Sequence, residues 1–159
     1  MKKILFSLIF AAQVVFTQNI TNTLGTSGLF SIKNAATTYL SLSQSNGYLS
    51  LNRSLVMPYT TSSLSGVIYK GTESFIHDYT APGTQGLNTF IGLNSGNFTM
   101  SGIGSQSSYN TGIGYYALAF LNGGSNNTAV GVYSLSNNSS GISNTGLGTF
   151  SLFSNTTGI

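Results

Sequence analysis

The groups able to transfer protons or bind a metal lie in one short segment of this 159-residue chain. Glu73, His77 and Asp78 could form an acid–base cluster or supply metal ligands if they converged. Nothing in the sequence requires convergence, and one histidine with two carboxylates is a poor metal set. We interpret them as surface residues of a hairpin. We therefore predict no catalytic, cofactor-binding or metal-binding residues, and a protein that is not an enzyme.

Two further patterns suggest chemistry but have structural explanations. Gly112-Ile113-Gly114 resembles part of a dinucleotide-binding loop, yet the full GxGxxG pattern, the following helix and the acidic residue are missing. Tyr115, Tyr116 and Tyr133 could stack on sugars if they face outward. Their spacing is explained at least as well by packing between repeats, which we favour.

These patterns recur because the chain contains a repeat. NTGIGYYAL (110–118), NTAVGVYSL (127–135) and NTGLGTFSL (144–152) each begin 17 residues after the last. The recurring positions form an Asn, an apolar, a Gly, an aromatic and a Leu column: Asn110, Asn127, Asn144; Ile113, Val130, Leu147; Gly114, Gly131, Gly148; Tyr116, Tyr133, Phe150; Leu118, Leu135, Leu152.

Each column has a predicted structural role. The apolar, aromatic and Leu columns should stack as ladders between neighbouring repeats. Gly is expected where a bend or a close backbone approach excludes a side chain. Asn suits turns, and identical Asn side chains can hydrogen-bond to one another along a stack.

A 17-residue unit is too short for a helix pair and suits one coil of a β-solenoid, with two short strands and two turns. We therefore predict an all-β protein whose residues 88–159 form a β-solenoid. Another copy of the motif, NTFIG at 88–92, lies 22 residues before Asn110, so irregular coils are expected there.

Upstream of the repeats, alternating apolar and polar residues predict short strands. The cores are Phe30–Ile32, Leu40–Leu42 and Leu49–Leu51, with a tight turn at Asn46-Gly47. We assign residues 19–65 to this β region and a linker. Residues 66–87 are assigned to a hairpin connector, in which Lys70 to Ser74 form the turn.

The first 18 residues are typical of a secretory signal peptide, although a buried N-terminal element is the alternative. Lys2 and Lys3 precede an apolar run from Ile4 to Phe16 that is too short to span a bilayer, and cleavage is expected near Thr17 to Asn19. We predict a secreted or cell-surface protein whose mature chain has no transmembrane segment.

The remaining charge argues against nucleic-acid binding. Residues 19–159 contain three basic and two acidic side chains, and no residue from Tyr79 to Ile159 is charged. Phosphate neutralisation needs a basic patch. The chain has no cysteine, so no disulfide can stabilise it after export.

The NTAVGxxxL units, separated by NNSSG- and SNTTG-like turns, resemble repeats of secreted bacterial surface proteins and phage tail-fibre-like proteins. The segment 66–102 is similar to the stretch that precedes such repeats. More distantly, NTAVG resembles the repeat of trimeric autotransporter adhesin heads. That resemblance implies a parallel β-roll, a homotrimer and attachment to host or matrix surfaces, and it implies no catalytic residues.

We therefore expect an exported structural or adhesive segment that acts by multivalent contacts as a homo-oligomer, with a trimer favoured. The alternative is a carbohydrate- or surface-binding module, including an ice-binding one, with Thr111, Thr128 and Thr145 as a recognition column. The repeat pattern stops just short of a full period at Ile159, so a longer protein is expected, and an enzyme encoded downstream is a third alternative.

Overall fold

The computed structural model describes residues 29–33, 38–43, 48–51 and 54–159. Within them the protein is all-β, with nine strands and no helix, which confirms the predicted class. The chain divides into two units, Met1–Leu55 and Val56–Ile159. The predicted signal peptide and the predicted Asn46-Gly47 turn lie outside the described residues.

The first unit contains an antiparallel sheet of three strands, β1 (Leu29–Lys33), β2 (Thr38–Ser43) and β3 (Leu49–Leu51), in the order β1-β2-β3. The strands coincide with the three alternating cores. Their register aligns the apolar positions, because Leu40 pairs with Ile32 on one side and with Leu51 on the other.

The second unit contains a six-stranded sheet ordered along the chain. Its strands are β4 (Ile68–Lys70), β5 (Glu73–His77), β6 (Thr89–Ile91), β7 (Thr111–Ile113), β8 (Thr128–Val130) and β9 (Thr145–Leu147). The β4–β5 hairpin is antiparallel, and β5 pairs antiparallel with β6. From β6 to β9 the strands are parallel and in register, so each copy of the repeat contributes one strand.

Each repeat has one strand, not the two that we predicted. The half after the strand is a series of turns in which the aromatic and Leu columns have positive φ, as at Tyr133 (55°) and Leu135 (47°). The left-handed conformation of these residues interrupts β geometry, but their backbone amides still donate hydrogen bonds to neighbouring repeats. The Tyr133 amide donates to the Tyr115 carbonyl of the preceding repeat, and the Leu135 amide to the Ser151 carbonyl of the following one.

The 22-residue spacing before Asn110 is accommodated by a local insertion. Strand β6 keeps full register with β7. Ser101 and Ser107 both contact the same part of the next repeat, because the Ser101 amide donates to the Asn122 carbonyl (3.0 Å) and the Ser107 amide to the Gly123 carbonyl (3.3 Å). The five residues between them, 102–106, are the difference between 22 and 17.

We assigned residues 19–65 to the N-terminal β region and a linker, but the last part of that stretch, residues 56–65, belongs to the same unit as the repeats. Thr60 is fully buried. Its amide donates to Asp78 Oδ1 (2.9 Å), its hydroxyl to the Gly66 carbonyl (2.9 Å), and its carbonyl accepts the Thr80 amide (2.8 Å). These bonds hold the segment against the chain that follows β5.

The core of the second unit is small and lies on one side of the six-stranded sheet. The middle residue of each repeat strand faces it, and Phe90 and Ala129 are completely buried there. Leu118, Leu121 and Leu135, from the turn half, cover them. Phe90 fills space that Gly112 leaves free, since a Cβ on Gly112 would lie 3.0 Å from the Phe90 ring.

Candidate functional site

Glu73, His77 and Asp78 are not brought together by a shared bond among the described residues. Glu73 is exposed and accepts a hydrogen bond from the Asn94 side chain. His77 is buried, and its neighbour Asp78 binds the Thr60 amide. Asp78 follows the last residue of β5, and among the described residues its carboxylate forms no hydrogen bond with the imidazole. The prediction of surface positions is therefore wrong for His77.

Both ring nitrogens of His77 have partners inside the protein. Nε2 donates to the Ser95 carbonyl (2.9 Å), because a carbonyl oxygen only accepts. Nδ1 then accepts the Tyr79 amide (3.3 Å), so the buried imidazole is the neutral Nε2–H tautomer. The rings of Phe90 and Phe98 lie 4.9 and 4.5 Å from it, and burial lowers the pKa of His77. This arrangement suits packing better than proton transfer.

The apolar column Ile113, Val130 and Leu147 stacks in register, but on the outward face of the sheet. Ile113 is 38% exposed, whereas the preceding residue in the strand, Gly112, is buried. Because strand residues alternate between faces, Thr111 and Ile113 lie on the face opposite the core once Gly112 faces it. The sequence motif did not reveal this orientation.

The outward column continues across the whole sheet. Its members pair directly with one another from strand to strand, and we call them the apolar stripe: Ile68, Ile76, Ile91, Ile113, Val130 and Leu147. The members other than half-buried Val130 are 36–76% exposed. With strands about 4.8 Å apart, six strands make a stripe of roughly 24 Å.

A second column lies beside the stripe on the same face. We call it the threonine column, and it consists of Thr89, Thr111, Thr128 and Thr145. Thr89 precedes the sequence-predicted members and extends the column by one strand. Thr111 is half-buried and the others are exposed. The column therefore presents one hydroxyl and one methyl group per strand, in a row parallel to the stripe.

The Asn column forms a continuous chain of buried hydrogen bonds. Oδ1 of Asn110 accepts the backbone amide (3.1 Å) and Nδ2 (3.0 Å) of Asn127. Oδ1 of Asn127 receives the same pair of bonds from Asn144. Nδ2 of Asn127 also donates to the Gly141 carbonyl (2.8 Å). The pattern begins one strand earlier at Asn88, and it ties each repeat to the next.

The Gly column lies where neighbouring repeats approach too closely for a side chain. Gly114, Gly131 and Gly148 have φ of 134°, 136° and 111°. A Cβ on Gly114 would lie 2.5 Å from the Gly131 carbonyl oxygen, and one on Gly131 would lie 2.4 Å from that of Gly148. Bend and close approach, which we considered as alternatives, therefore act together.

The aromatic and Leu columns pack along the stack. The rings of Tyr133 and Phe150 are parallel within 2° at 5.3 Å, and those of Tyr116 and Tyr133 stack at 5.4 Å. Tyr115 contacts both tyrosines edge-on and is 42% exposed. Leu118 and Leu135 are fully buried, whereas Leu152 is 47% exposed.

Comparison with protein-family models, curated proteins and solved structures returns no match for this chain. In the part of the chain that the structure describes, no three His, Cys, Asp or Glu side chains are grouped as metal ligands would be. No helix among those residues has the length and apolar character needed to cross a membrane. The repeated outward face, with its stripe and threonine column, is the candidate functional surface.

Proposed function

We propose that residues 88–159 form a β-solenoid in an exported structural or adhesive protein that has no enzymatic activity. One observation carries the proposal: successive repeats present the same outward residues in strict register. The Asn hydrogen bonds and the Gly contacts couple neighbouring repeats, as stacked coils require. Export rests on the predicted leader at residues 1–18, and the resemblance to bacterial surface and tail-fibre-like repeats supports the assignment.

The mechanism is multivalent attachment. The threonine column offers a regular row of hydroxyl groups, and the unit carries no charge from Tyr79 onward. Weak contacts repeated along a rigid shaft add up through effective concentration. Beads coated with the protein should therefore attach to cells or matrix with a steep dependence on coating density. Attachment proportional to density would contradict multivalency.

The apolar stripe is proposed as the contact between copies of this chain, with a homotrimer favoured by the resemblance to adhesin heads. A continuous row of six aliphatic side chains is unusual on a solitary surface. Three identical stripes around a common axis would remove them from water. The neutral surroundings impose little electrostatic repulsion.

Light scattering at micromolar concentration tests this assembly. The protein should have three times the mass of one chain, and the double variant Ile113→Ser/Val130→Ser should dissociate. Thr111→Ser/Thr128→Ser is the matched control, since it removes β-branching from the adjacent column without removing the stripe. A monomeric protein, or a stripe variant that assembles like the control, would refute the proposal.

A second candidate function is recognition of a regular surface, such as ice or a glycan, by the threonine column. It is favoured by the in-register spacing of four Thr residues on an outward face. Thermal hysteresis that falls in Thr128→Ala would support an ice surface, and glycan-array binding that falls in the same variant would support a glycan. Neither signal would be expected from a purely structural shaft.

A further inference from the structure

A groove of about 370 Å³ lies in the part of the second unit where residues 59–61 meet the chain after β5. It is lined by one aromatic, one aliphatic and four polar residues: Tyr59, Thr61, Asp78, Thr80, Gln85 and Leu87. Its volume falls in the range of roughly 300–1,000 Å³ that small-molecule sites occupy. The proposed fibre function uses none of these side chains.

Asp78 and Gln85 are each held by hydrogen bonds that leave one polar side-chain atom free to bind a ligand. Asp78 is oriented by the Thr60 amide on Oδ1 (2.9 Å), and Oδ2 has no protein partner among the described residues. Gln85 is anchored by its backbone amide to the Gly104 carbonyl (2.8 Å), and its Oε1 accepts the Tyr109 hydroxyl. Its Nε2 is left as a donor.

The apolar walls are unusually exposed. Tyr59 is 78% and Leu87 is 69% exposed. Leu87 also has a φ of 56°, a left-handed conformation that is unfavourable for a leucine. The equivalent residues of the following repeats, Tyr109, Asn126 and Ser143, have the same positive φ, so this backbone conformation belongs to the repeat. The groove offers Leu87 to a ligand through its exposed side chain.

We propose that this groove binds a neutral pyranoside. A sugar ring presents a polarised C–H face that packs on the electron-rich face of an aromatic ring, here Tyr59. Its hydroxyls need both acceptors and donors, which Asp78 Oδ2 and Gln85 Nε2 supply, with the Thr61 and Thr80 hydroxyls beside them. Asp78 is the sole charged group of the lining, so its carboxylate repels acidic sugars.

The site binds and does not cleave. Glycoside hydrolysis uses a pair of carboxyl groups that flank the scissile bond. The groove lining holds Asp78 alone. A carboxylate near a tyrosine also suits a quaternary ammonium group, but that ligand would make no use of the donors from Gln85 and the two threonines. An ammonium ligand is therefore an outcome for the experiment to exclude.

The test is titration of ¹⁵N-labelled protein with methyl glycosides of glucose, galactose, mannose and N-acetylglucosamine, followed by NMR. The methyl glycoside of sialic acid and a trimethylammonium alcohol are the comparison ligands. At least one neutral glycoside should shift the Gln85 side-chain amide and the backbone amides of Thr61 and Asp78. A dissociation constant of about 1 mM is expected for so small a ligand.

Three variants locate the site. Tyr59→Ala should weaken binding about tenfold or more, a loss within the range for removing an aromatic contact. Asp78→Asn keeps the Oδ1 acceptor for Thr60 but replaces the free oxygen with a donor, and should weaken binding by a similar factor. Tyr115→Ala removes an exposed tyrosine of the repeat region and is the matched control. It should leave the affinity unchanged.

The proposal is overturned if no neutral glycoside shifts the groove signals, if Tyr115→Ala abolishes binding while Tyr59→Ala does not, or if only the trimethylammonium compound binds. Light scattering on the same samples reports the oligomeric state separately. Loss of glycoside binding with intact oligomers, or the reverse, therefore distinguishes the failure of this proposal from the failure of the fibre proposal.

Discussion

Gly131 lies where two repeats come too close for a side chain, and replacing it with alanine tests the packing of the stack. A Cβ at Gly131 would meet the oxygen and the carbon of the Gly148 carbonyl at 2.4 and 2.5 Å. Real Cβ contacts are longer, so the two repeats would have to separate locally. The residue also has a φ of 136°, which an alanine rarely adopts.

Gly148 supplies the internal control. It occupies the same column with a φ of 111°, but nothing lies within 4 Å of a Cβ built there. Gly148→Ala should therefore lower the free energy of unfolding by backbone strain alone, about 1–3 kcal/mol. Gly131→Ala adds overpacking, about 1–3 kcal/mol more. The lower entropy of the unfolded alanine chain is common to both variants and cancels in the comparison.

Urea unfolding followed by circular dichroism, at one fixed protein concentration, measures these differences. Gly114→Ala should match Gly131→Ala, because its Cβ would meet the Gly131 carbonyl oxygen at 2.5 Å. Gly71→Ala, at a positive φ with open space around it, is a second control for strain. Equal losses for Gly131→Ala and Gly148→Ala would refute the close-approach argument.

Three further predictions concern the interior of the stack. Asn127→Ala should lower the free energy of unfolding by about 2–4 kcal/mol, because the Gly141 carbonyl and the Asn144 amide each lose a hydrogen-bond partner. The control Asn137→Ala should be nearly neutral in the same urea assay. Leu135→Ala should cost about 2–5 kcal/mol and half-exposed Leu152→Ala clearly less; equal losses would contradict the assigned core. Burial lowers the pKa of His77 from 6.5, so folding favours the neutral imidazole. The contribution of His77 to the free energy of unfolding should therefore be complete above about pH 6.5 and be lost as the pH falls through the folded-state pKa. His77→Gln should lose this acid sensitivity, and unchanged pH dependence in that variant would contradict the assignment.

Much of the secondary structure follows from local pattern. Alternation placed the three strands of the first unit, and apolar residues around Lys70 to Ser74 placed the β4–β5 hairpin. The repeat register placed β7, β8 and β9 at equivalent residues. These successes share one cause, because strand alternation and identical repeats are properties of the chain that do not depend on distant contacts.

The second half of each repeat could not be predicted in the same way. Tyr133 and Leu135 are residues that ordinarily favour extended or helical backbone, yet both have positive φ. Their conformation is stabilised by hydrogen bonds to the repeats on either side and by the burial of Leu135. Such long-range compensation for local strain is absent from any short window of sequence.

The sequence by itself determined the period, the all-β class and the columns that would align. Only the tertiary structure decided which columns face the core: the buried position belongs to Phe90 and Ala129, and the apolar Ile113 and Val130 lie on the outward side. The physical reason is volume. Phe90 and the leucines of the turn half already fill the interior, so the repeat strands place small residues, Gly112 and Ala129, against them and their branched residues on the opposite face.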